Sequence, residues 1–290
     1  MDAGKQVERA LQAAIGAAAS RDCPPLLAGA MRHAVFSGGA RVRPQLCVAV
    51  AAACGGGAAL KLAVHAGSSI ELLHCASLVH DDLPCFDAAD LRRGKPSVHK
   101  RFGVPVAVLA GDALIVLAFE TLARGAAAFP TRLGPLFGIV SAAVGAPHGI
   151  VAGQAWESEE TVDLSLYQRA KTGALFVAAT TAGAASAGAE IGPWRPLGEL
   201  LGEAYQVADD IRDVAEDPEE TGKPAQQDAV NGRPSAVATH GLDGALDRLE
   251  ELVAAAAASI PDCEGADALQ AIVRLQAKRL TPKHLARSAA

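Results

Sequence analysis

The sequence predicts an all-α protein, and three observations lead to this fold class. Apolar residues recur at intervals of three and four along most of the 290 residues, with almost no alternation of period two. Ala and Leu, which favour helices, outnumber the β-branched residues. Half of the residues are apolar but only 4% are aromatic, which is typical of helices that approach one another closely. We therefore expect helices throughout and no strands.

Glycines and prolines divide the chain into these helices. In chain order, the breaks fall at residues 23–25, 37–39, 55–57, 93–96, 129–130, 192–193, 222–224 and 232–234. They separate about ten helices. Neither a linker-like composition nor a repeat of solenoid length interrupts the pattern, so we expect a single domain over residues 1–290.

Composition limits the classes of function. A formal net charge of -6 and a pI near 5.8 argue against a nucleic-acid-binding surface. The six cysteines lack the spacing of zinc ligands, and most lie in apolar helical surroundings where a reduced thiol packs as a small apolar group. The first residues carry alternating charges where a signal peptide would have an apolar core, which favours a cytoplasmic location.

One stretch is long enough to span a bilayer. Residues 133–156 contain no Asp, Glu, Lys or Arg over 24 positions. They do contain Pro135, Pro147, His148 and Gln154 together with five glycines. Such a stretch is too broken for an ordinary spanning helix, so we expect buried helices here and no membrane span.

Two acidic clusters interrupt the apolar pattern. In "VHDDLPCFDAADLRRGKPSVHK" (79–100), four aspartates directly precede three cations, and Pro84 ends the helical pattern so that Asp87 can return toward Asp81. In "EAYQVADDIRD" (203–213), Asp209 and Asp213 share a helix face, where like charges cost about 0.2–0.5 kcal/mol unless solvent or a cation offsets them. Gln206 extends that polar face.

One such cluster alone is most simply a solvated helix end. Two clusters, each within an apolar pattern and each followed by Arg or Lys, point instead to a shared site, because an uncompensated carboxylate is costly to desolvate. Oxygen-only clusters suit Mg²⁺, which leaves coordination positions for water and substrate phosphates. The two clusters therefore predict a site that holds one diphosphate between them.

Further segments accompany these clusters in a fixed order. They are "GGARVRP" (38–44), "LRRGKPSVH" (91–99), "AGD" (110–112), "AGQAWE" (152–157), "RAKTGALF" (169–176), "YQVADD" (205–210) and "TGKP" (221–224). Together with "DDLPCFD" and "DDIRD", this set resembles the trans-isoprenyl diphosphate synthases, which include farnesyl and geranylgeranyl diphosphate synthases. The resemblance covers most of the chain.

The resemblance implies an isoprenoid synthase fold, with about ten helices around a central apolar cavity. It also implies a homodimer that uses three Mg²⁺ ions, with Mn²⁺ as a substitute, and that joins isopentenyl diphosphate to allylic diphosphates head to tail. The sequence as a whole resembles those of bacterial enzymes that supply carotenoid and related pathways.

The resemblance also assigns roles to individual residues. The metal-binding set comprises Asp81, Asp82, Asp87, Asp209, Asp210 and Asp213. The allylic diphosphate would contact Arg92, Lys171 and Lys223, and isopentenyl diphosphate would contact Arg43, His74 and Arg93. Thr172 and Gln206 would line the path of the developing cation. Taken without the resemblance, His74 would more simply be a buried core histidine, and Lys171 a solvated helix residue.

Two positions depart from the family pattern. Ala40 stands where the family's "GGKRxRP" motif has a lysine that contacts isopentenyl diphosphate, and we consider Arg41 or Lys95 as its replacement. Arg233 stands in place of a late family lysine, so charge is kept there. Neither change affects a metal-binding aspartate, and the isopentenyl diphosphate site is the more altered half.

The residues four and five positions before the first aspartate of the family motif close its hydrocarbon pocket. Here they are Ser77 and Ala76, which at about 1.5 Å of rise per residue lie roughly 6–7.5 Å along the helix from Asp81. Both are small, and Leu72 and Leu73 one turn further are candidates for the floor. This predicts a C20 product, geranylgeranyl diphosphate, with C15 farnesyl diphosphate as the alternative.

Three other functions compete with this interpretation. A terpene cyclase shares the metal-dependent ionisation but has no use for the isopentenyl diphosphate residues. An intramembrane aromatic prenyltransferase also uses Asp-rich motifs and would require detergent for extraction. A regulatory partner subunit on the same scaffold usually lacks one aspartate motif, whereas both are intact here.

Overall fold

The computed structural model describes residues 2–215 and 235–278, and these residues are helical almost throughout. The helices are α1 (Ala3–Ala18), α2 (Pro25–Phe36), α3 (Val42–Ala53), α4 (Leu60–Asp81), α5 (Val98–Phe102), α6 (Val104–Ala126), α7 (Pro130–Val144), α8 (Ile150–Ala155), α9 (Leu164–Gln168), α10 (Ala174–Ala187), α11 (Arg195–Ala215), α12 (Ala236–Ala258) and α13 (Ala266–Lys278). Ten of these helices exceed six residues. The all-α prediction is confirmed.

The expectation of no strands is wrong at one place. Leu91–Arg92 (β1) and Lys95–Pro96 (β2) form a two-stranded antiparallel ribbon in which Leu91 pairs with Pro96. Both residues of its turn, Arg93 and Gly94, have positive φ, as in the tight turns that suit hairpins. A strand of two residues is too short to leave a period-two pattern in the sequence.

Helix α4 is the buried centre of the fold, and it packs against α3, α6 and α10. Helix α6 lies directly on it because Gly111 leaves room for the ring of His80: a Cβ at Gly111 would lie only 2.0 Å from His80 Nε2. Helix α4 ends at Asp81, one residue beyond this contact. The close approach of the two helices therefore fixes the position where the first acidic segment begins.

Helix α11 is held to the rest of the fold by similarly close contacts. A Cβ at Gly198 would lie 2.5 Å from the Cα of Val177 on α10, and one at Gly202 would lie 2.7 Å from the Cα of Gly173. These contacts fix the position of α11 along its axis relative to the segment 169–173. They bring the second acidic cluster, at the C-terminal end of α11, toward that segment.

The uncharged stretch 133–156 does not form one continuous helix. It is divided between α7 and α8, with residues 145–149 between them. Two other segments, Gly57–Asp81 and Val104–Ala126, are long and apolar enough to cross a membrane by length and composition alone. Most of the first is buried inside the protein, whereas α6 keeps an exposed apolar face.

Candidate active site

The first acidic segment folds back on itself just after α4. The backbone N–H of Asp87 donates a hydrogen bond to the carbonyl of Asp81 (3.0 Å). Asp81, Asp87 and Glu157 each offer a carboxylate oxygen, and these oxygens lie within 4.8 Å of one another. We call these three residues the first acidic cluster. It brings together the two aspartates that the sequence predicted as neighbours.

Asp82 is not part of this cluster and pairs with Arg92. Its carboxylate is buried and accepts hydrogen bonds from Arg92, one of them from Nε at 2.9 Å. Burial alone would lower the pKa of Arg92, but the hydrogen bond and charge of Asp82, together with Asp81, raise it. Arg92 Nη2 also lies 3.6 Å from Asp81 Oδ2. Asp82 thus holds a cation against the edge of the first acidic cluster.

Glu157 is a site residue to which the sequence reasoning gave no role. Its carboxylate accepts hydrogen bonds from Lys171 Nζ, from the Tyr167 hydroxyl (2.7 Å) and from Gln154 Nε2 (2.7 Å). Lys171 Nζ also lies 3.5 Å from Asp81 Oδ1. The signal was present, because Glu157 ends the "AGQAWE" segment that contributed to the resemblance.

A π-helical turn, Arg169–Gly173, links the two acidic parts of the site. Lys171 of this turn contacts Asp81, and the next residue, Thr172, donates a hydrogen bond from Oγ1 to Gln206 Oε1 (2.9 Å) on α11. Gly153 lies against the backbone of the turn, since a Cβ there would be 2.5 Å from Lys171 N. π-turns are rare and occur frequently at functional sites.

The three aspartates of α11 have different surroundings. Asp210 is buried, and its carboxylate accepts hydrogen bonds from Gln206 Nε2 (3.0 Å) and from the backbone N–H of Ala236 (2.7 Å) at the start of α12. Asp209 is exposed and pairs with Arg212 (2.7 Å), and Asp213 is half-buried. Lys223 and Arg233, named from the sequence, lie outside the described residues.

A second group of cations lies between α3, α4 and the ribbon. Arg43 is half-buried, with Nη1 3.5 Å from His74 Nε2 and its guanidinium 4.5 Å from the centre of the Phe176 ring. Among the described residues, its Nε has no hydrogen-bond partner. Arg93 donates a hydrogen bond to the carbonyl of Gly38. Its guanidinium occupies the space that a Cβ at Gly39 would take.

The electrostatics of this group favour an anion. Burial lowers the pKa of His74 well below its ordinary value of 6.5, and the charges of Arg43, Arg93, Arg92 and Arg41 lower it further. Burial also lowers the pKa of Arg43, although Glu71 and Tyr205 raise it. A guanidinium whose Nε has no acceptor among the described residues can donate hydrogen bonds to phosphate oxygens.

Arg41 does not replace the lysine that is missing at Ala40. Its guanidinium is buried and bonds Glu71 (2.8 Å), Glu8 (3.4 Å) and the carbonyl of Val35. The backbone of Arg41 is left-handed, with φ 50°, which turns this side chain toward the core. Of the two residues considered as a replacement, only Lys95 is exposed.

The residues that we predicted to set product length lie on α4, between His74 and the first aspartate, Asp81. Ala76 is buried, and Ser77 is half-buried with its hydroxyl bonded to the carbonyl of His74 (2.8 Å). Leu72 and Leu73, one turn earlier, are buried. No bulky side chain stands at positions 76 and 77.

Comparison with known proteins agrees with this arrangement. The family model described as polyprenyl synthetase matches residues 24–271. The chain belongs to this family. It is 50% identical to the geranylgeranyl diphosphate synthase of Cereibacter sphaeroides over 282 residues, covering 97% of this chain and 98% of the relative. It is also 50% identical to that of Rhodobacter capsulatus, with 97% and 96% coverage.

Solved structures agree with the fold. A geranyltransferase from Helicobacter pylori, complexed with magnesium and isoprenyl diphosphate, superposes with a TM-score of 0.81 at 28% identity, covering 95% of this chain and 96% of that one. The predicted family and the isoprenoid synthase fold are thus confirmed. The polyprenyl synthetase family consists of magnesium-dependent prenyltransferases that use isopentenyl and allylic diphosphates, and this chain is such a trans-prenyltransferase.

Proposed function

We propose that this synthetase makes geranylgeranyl diphosphate by condensing isopentenyl diphosphate with allylic diphosphates head to tail. One observation carries the proposal: consecutive residues of the π-turn contact both acidic parts of the site, Lys171 at Asp81 and Thr172 at Gln206. A single diphosphate bound there would contact both. The relatives at 50% identity, named geranylgeranyl diphosphate synthases, support the same product.

The donor set fits magnesium. Asp81, Asp87 and Glu157 present only carboxylate oxygens, which Mg²⁺ prefers, and Asp209 and Asp213 would add ligands from α11. Asp82 and Asp210 already accept hydrogen bonds from protein groups, so we propose that they position the neighbouring ligands and do not bind the metal directly. We propose three Mg²⁺, with Mn²⁺ as a substitute. When bound, the metal ions neutralise the diphosphate and make it a better leaving group.

The residues of this chain then act on two substrates. Arg92, Lys171 and Lys223 hold the allylic diphosphate, and their fixed charges stabilise it as the C–O bond breaks and the electron pair leaves with it. The double bond of isopentenyl diphosphate attacks the resulting allylic cation, and Thr172 and Gln206 line the path of that cation. The released diphosphate takes the final proton, so no protein nucleophile is required.

Arg43, His74 and Arg93 form the proposed isopentenyl diphosphate site. The lowered pKa of His74 keeps its ring neutral, and within the described residues the Nε of Arg43 has no acceptor; both support this assignment, since an incoming anion would supply that acceptor. A terpene cyclase, which takes one diphosphate substrate, would have no use for a second anion site. This second site is the feature that favours condensation over cyclisation.

The test is turnover of the purified protein with Mg²⁺, labelled isopentenyl diphosphate and each of the C5, C10 and C15 allylic diphosphates. We expect elongation of the allylic substrates, with C20 as the longest main product. A C15 product alone would favour the farnesyl alternative. Absence of elongation with every starter would refute the proposal.

Product length has its own test at Ala76, which is buried on α4. In Ala76→Tyr the ring would fill the pocket about one isoprene unit earlier, because position 76 lies roughly 7.5 Å along the helix from Asp81. We expect the main product to shorten from C20 to C15, measured by chromatography of the dephosphorylated prenyl alcohols. Unchanged product length would show that the pocket runs elsewhere.

We also propose a homodimer, a single domain over residues 1–290 and a cytoplasmic location. Support for the dimer comes from the exposed apolar face of α6, formed by Val104, Val108, Leu109 and Val116, and from the exposed Phe137 on α7. A second copy of the chain would cover this face, as the family resemblance implies. Carotenoid and related pathways are the proposed destination of the product.

A further inference from the structure

The ribbon that carries Arg92 and Arg93 is anchored at three points. Arg92 is bonded to Asp82 on one side, and Arg93 donates to the carbonyl of Gly38 on the other. The third anchor is on the returning strand, where the carbonyl oxygen of Pro96 lies 2.7 Å from Nε2 of His33 on α2. Sequence reasoning gave His33 no role.

The contacts of His33 determine which ring nitrogen carries hydrogen. The Pro96 carbonyl can only accept, so Nε2 must donate to it. Arg101 Nη1 lies 3.2 Å from Nδ1 of the same ring, and a guanidinium can only donate. Nδ1 must therefore accept, and both contacts require the same neutral tautomer. One ring thus connects β2 to α5.

The ring itself is held by packing. Phe102 lies edge-on to His33, with ring centroids 5.8 Å apart at 61°. Phe102 also lies over Gly29, one helical turn before His33, where a Cβ would be 3.2 Å from the Phe102 ring. The hydrogen-bonding atoms of His33 consequently have a fixed place from which to hold the ribbon.

We propose that His33 is a positioning residue that holds the ribbon so that Arg93 reaches the isopentenyl diphosphate site. This rests on the substrate assignment made under Proposed function. Arg92 has its own anchor in two hydrogen bonds to buried Asp82. Arg93 lies in the turn with φ 54° and reaches only a backbone carbonyl in the bonds that the structure records, so its position depends on the ribbon.

The proposal predicts which kinetic constant changes. Isopentenyl diphosphate keeps its diphosphate throughout the reaction, so Arg93 binds it equally in the ground state and in the transition state. Loss of such uniform binding raises KM and leaves kcat unchanged. One hydrogen bond is worth about three- to tenfold in affinity, which sets the expected rise in KM for isopentenyl diphosphate.

The test compares His33→Phe with His33→Gln. Phe keeps a ring against Phe102 but cannot donate to Pro96, whereas the amide of Gln can donate to it. We expect His33→Phe to raise KM for isopentenyl diphosphate about three- to tenfold, with kcat and the allylic KM near wild type, and His33→Gln to restore most of the affinity. His240→Phe, on the exposed start of α12, is the control for loss of an imidazole.

A second readout does not depend on turnover. Hydrogen exchange of a peptide covering the ribbon should be faster in His33→Phe and near wild type in His33→Gln. If the wild type fails to elongate, the proposed function fails, and exchange still tests the anchor. Wild-type KM and wild-type ribbon exchange in folded His33→Phe would overturn the inference, as would a His33→Gln variant no better than His33→Phe.

Discussion

At the residue scale, His74 is half-buried on α4 and lies in the field of four arginines. Burial first, and then the charges of Arg43 and Arg93, lower its pKa well below 6.5 in the folded protein. Once the pH falls below about 6.5, the His74 side chain is protonated in the unfolded chain but stays neutral in the folded chain. His74 therefore has no pH-dependent effect on stability above that pH, and it lowers stability progressively as the pH falls below it.

We predict that His74→Gln weakens the acid sensitivity of stability. Gln keeps polar atoms in the pocket but does not titrate, so the melting temperature of the variant should fall less than that of wild type as the pH drops below about 6.5. The measurement is thermal unfolding at several pH values. Parallel curves for the two proteins would contradict a neutral His74 in the folded protein.

Glu157 joins the acidic cluster to Lys171 and Tyr167. In Glu157→Gln the first acidic cluster loses one carboxylate and Lys171 loses a charged partner, so metal should bind more weakly. We expect the Mg²⁺ concentration for half-maximal activity to rise about tenfold, and Mn²⁺ binding followed by electron paramagnetic resonance to weaken likewise. Glu159→Gln, two residues along and exposed, serves as the charge-matched control and should match wild type.

At the element scale, the fit of α6 on α4 depends on Gly111. In Gly111→Ala the new methyl group would overlap the ring of His80, which must move or push the helices apart. We expect a loss of about 1–3 kcal/mol in the free energy of unfolding, typical of overpacking, and reduced kcat because Asp81 follows His80. Denaturant unfolding gives the stability.

The matched control is Gly16→Ala in α1, where an added Cβ meets nothing within 4 Å. It should gain up to about 1 kcal/mol, since Gly in a helix is less favourable than Ala. Equal effects of the two substitutions would show that helix propensity, and not the His80 contact, decides the outcome at Gly111.

The sequence predicted the helices well because their signal is local. Apolar spacing and Gly or Pro breaks lie within one helix length, and so does the return of Asp87 toward Asp81 after Pro84. Glu157 was not assigned a role although its segment, "AGQAWE", contributed to the resemblance, because its contact with Asp81 and Asp87 depends on how the segment packs in three dimensions. The bond between Arg41 and Glu71, which leaves Lys95 as the remaining candidate to replace the missing lysine, could not be predicted because the left-handed backbone of Arg41 is not visible in the sequence.

At the scale of the whole molecule, α6 presents an apolar face that the rest of the described chain leaves exposed. Val116→Glu would place a charge on this face at its most exposed residue, where a partner subunit would have to desolvate it. We expect dissociation to a monomer, measured by analytical ultracentrifugation. Gln12→Glu, an exposed change of the same charge on α1, should leave the dimer intact. A wild-type monomer at every concentration would refute the dimer.

The π-turn also determines how substrate binding can spread through the molecule. A continuous series of polar contacts runs from Asp81 to Lys171, along the chain to Thr172, and on through Gln206 and Asp210 to the N-terminus of α12. A diphosphate that draws Lys171 away from Glu157 would change the first of these contacts, and the change could pass along the series to α12. Thermodynamic linkage is reciprocal, so any stiffening of the α12 terminus by substrate implies that a stiffer terminus binds substrate more tightly.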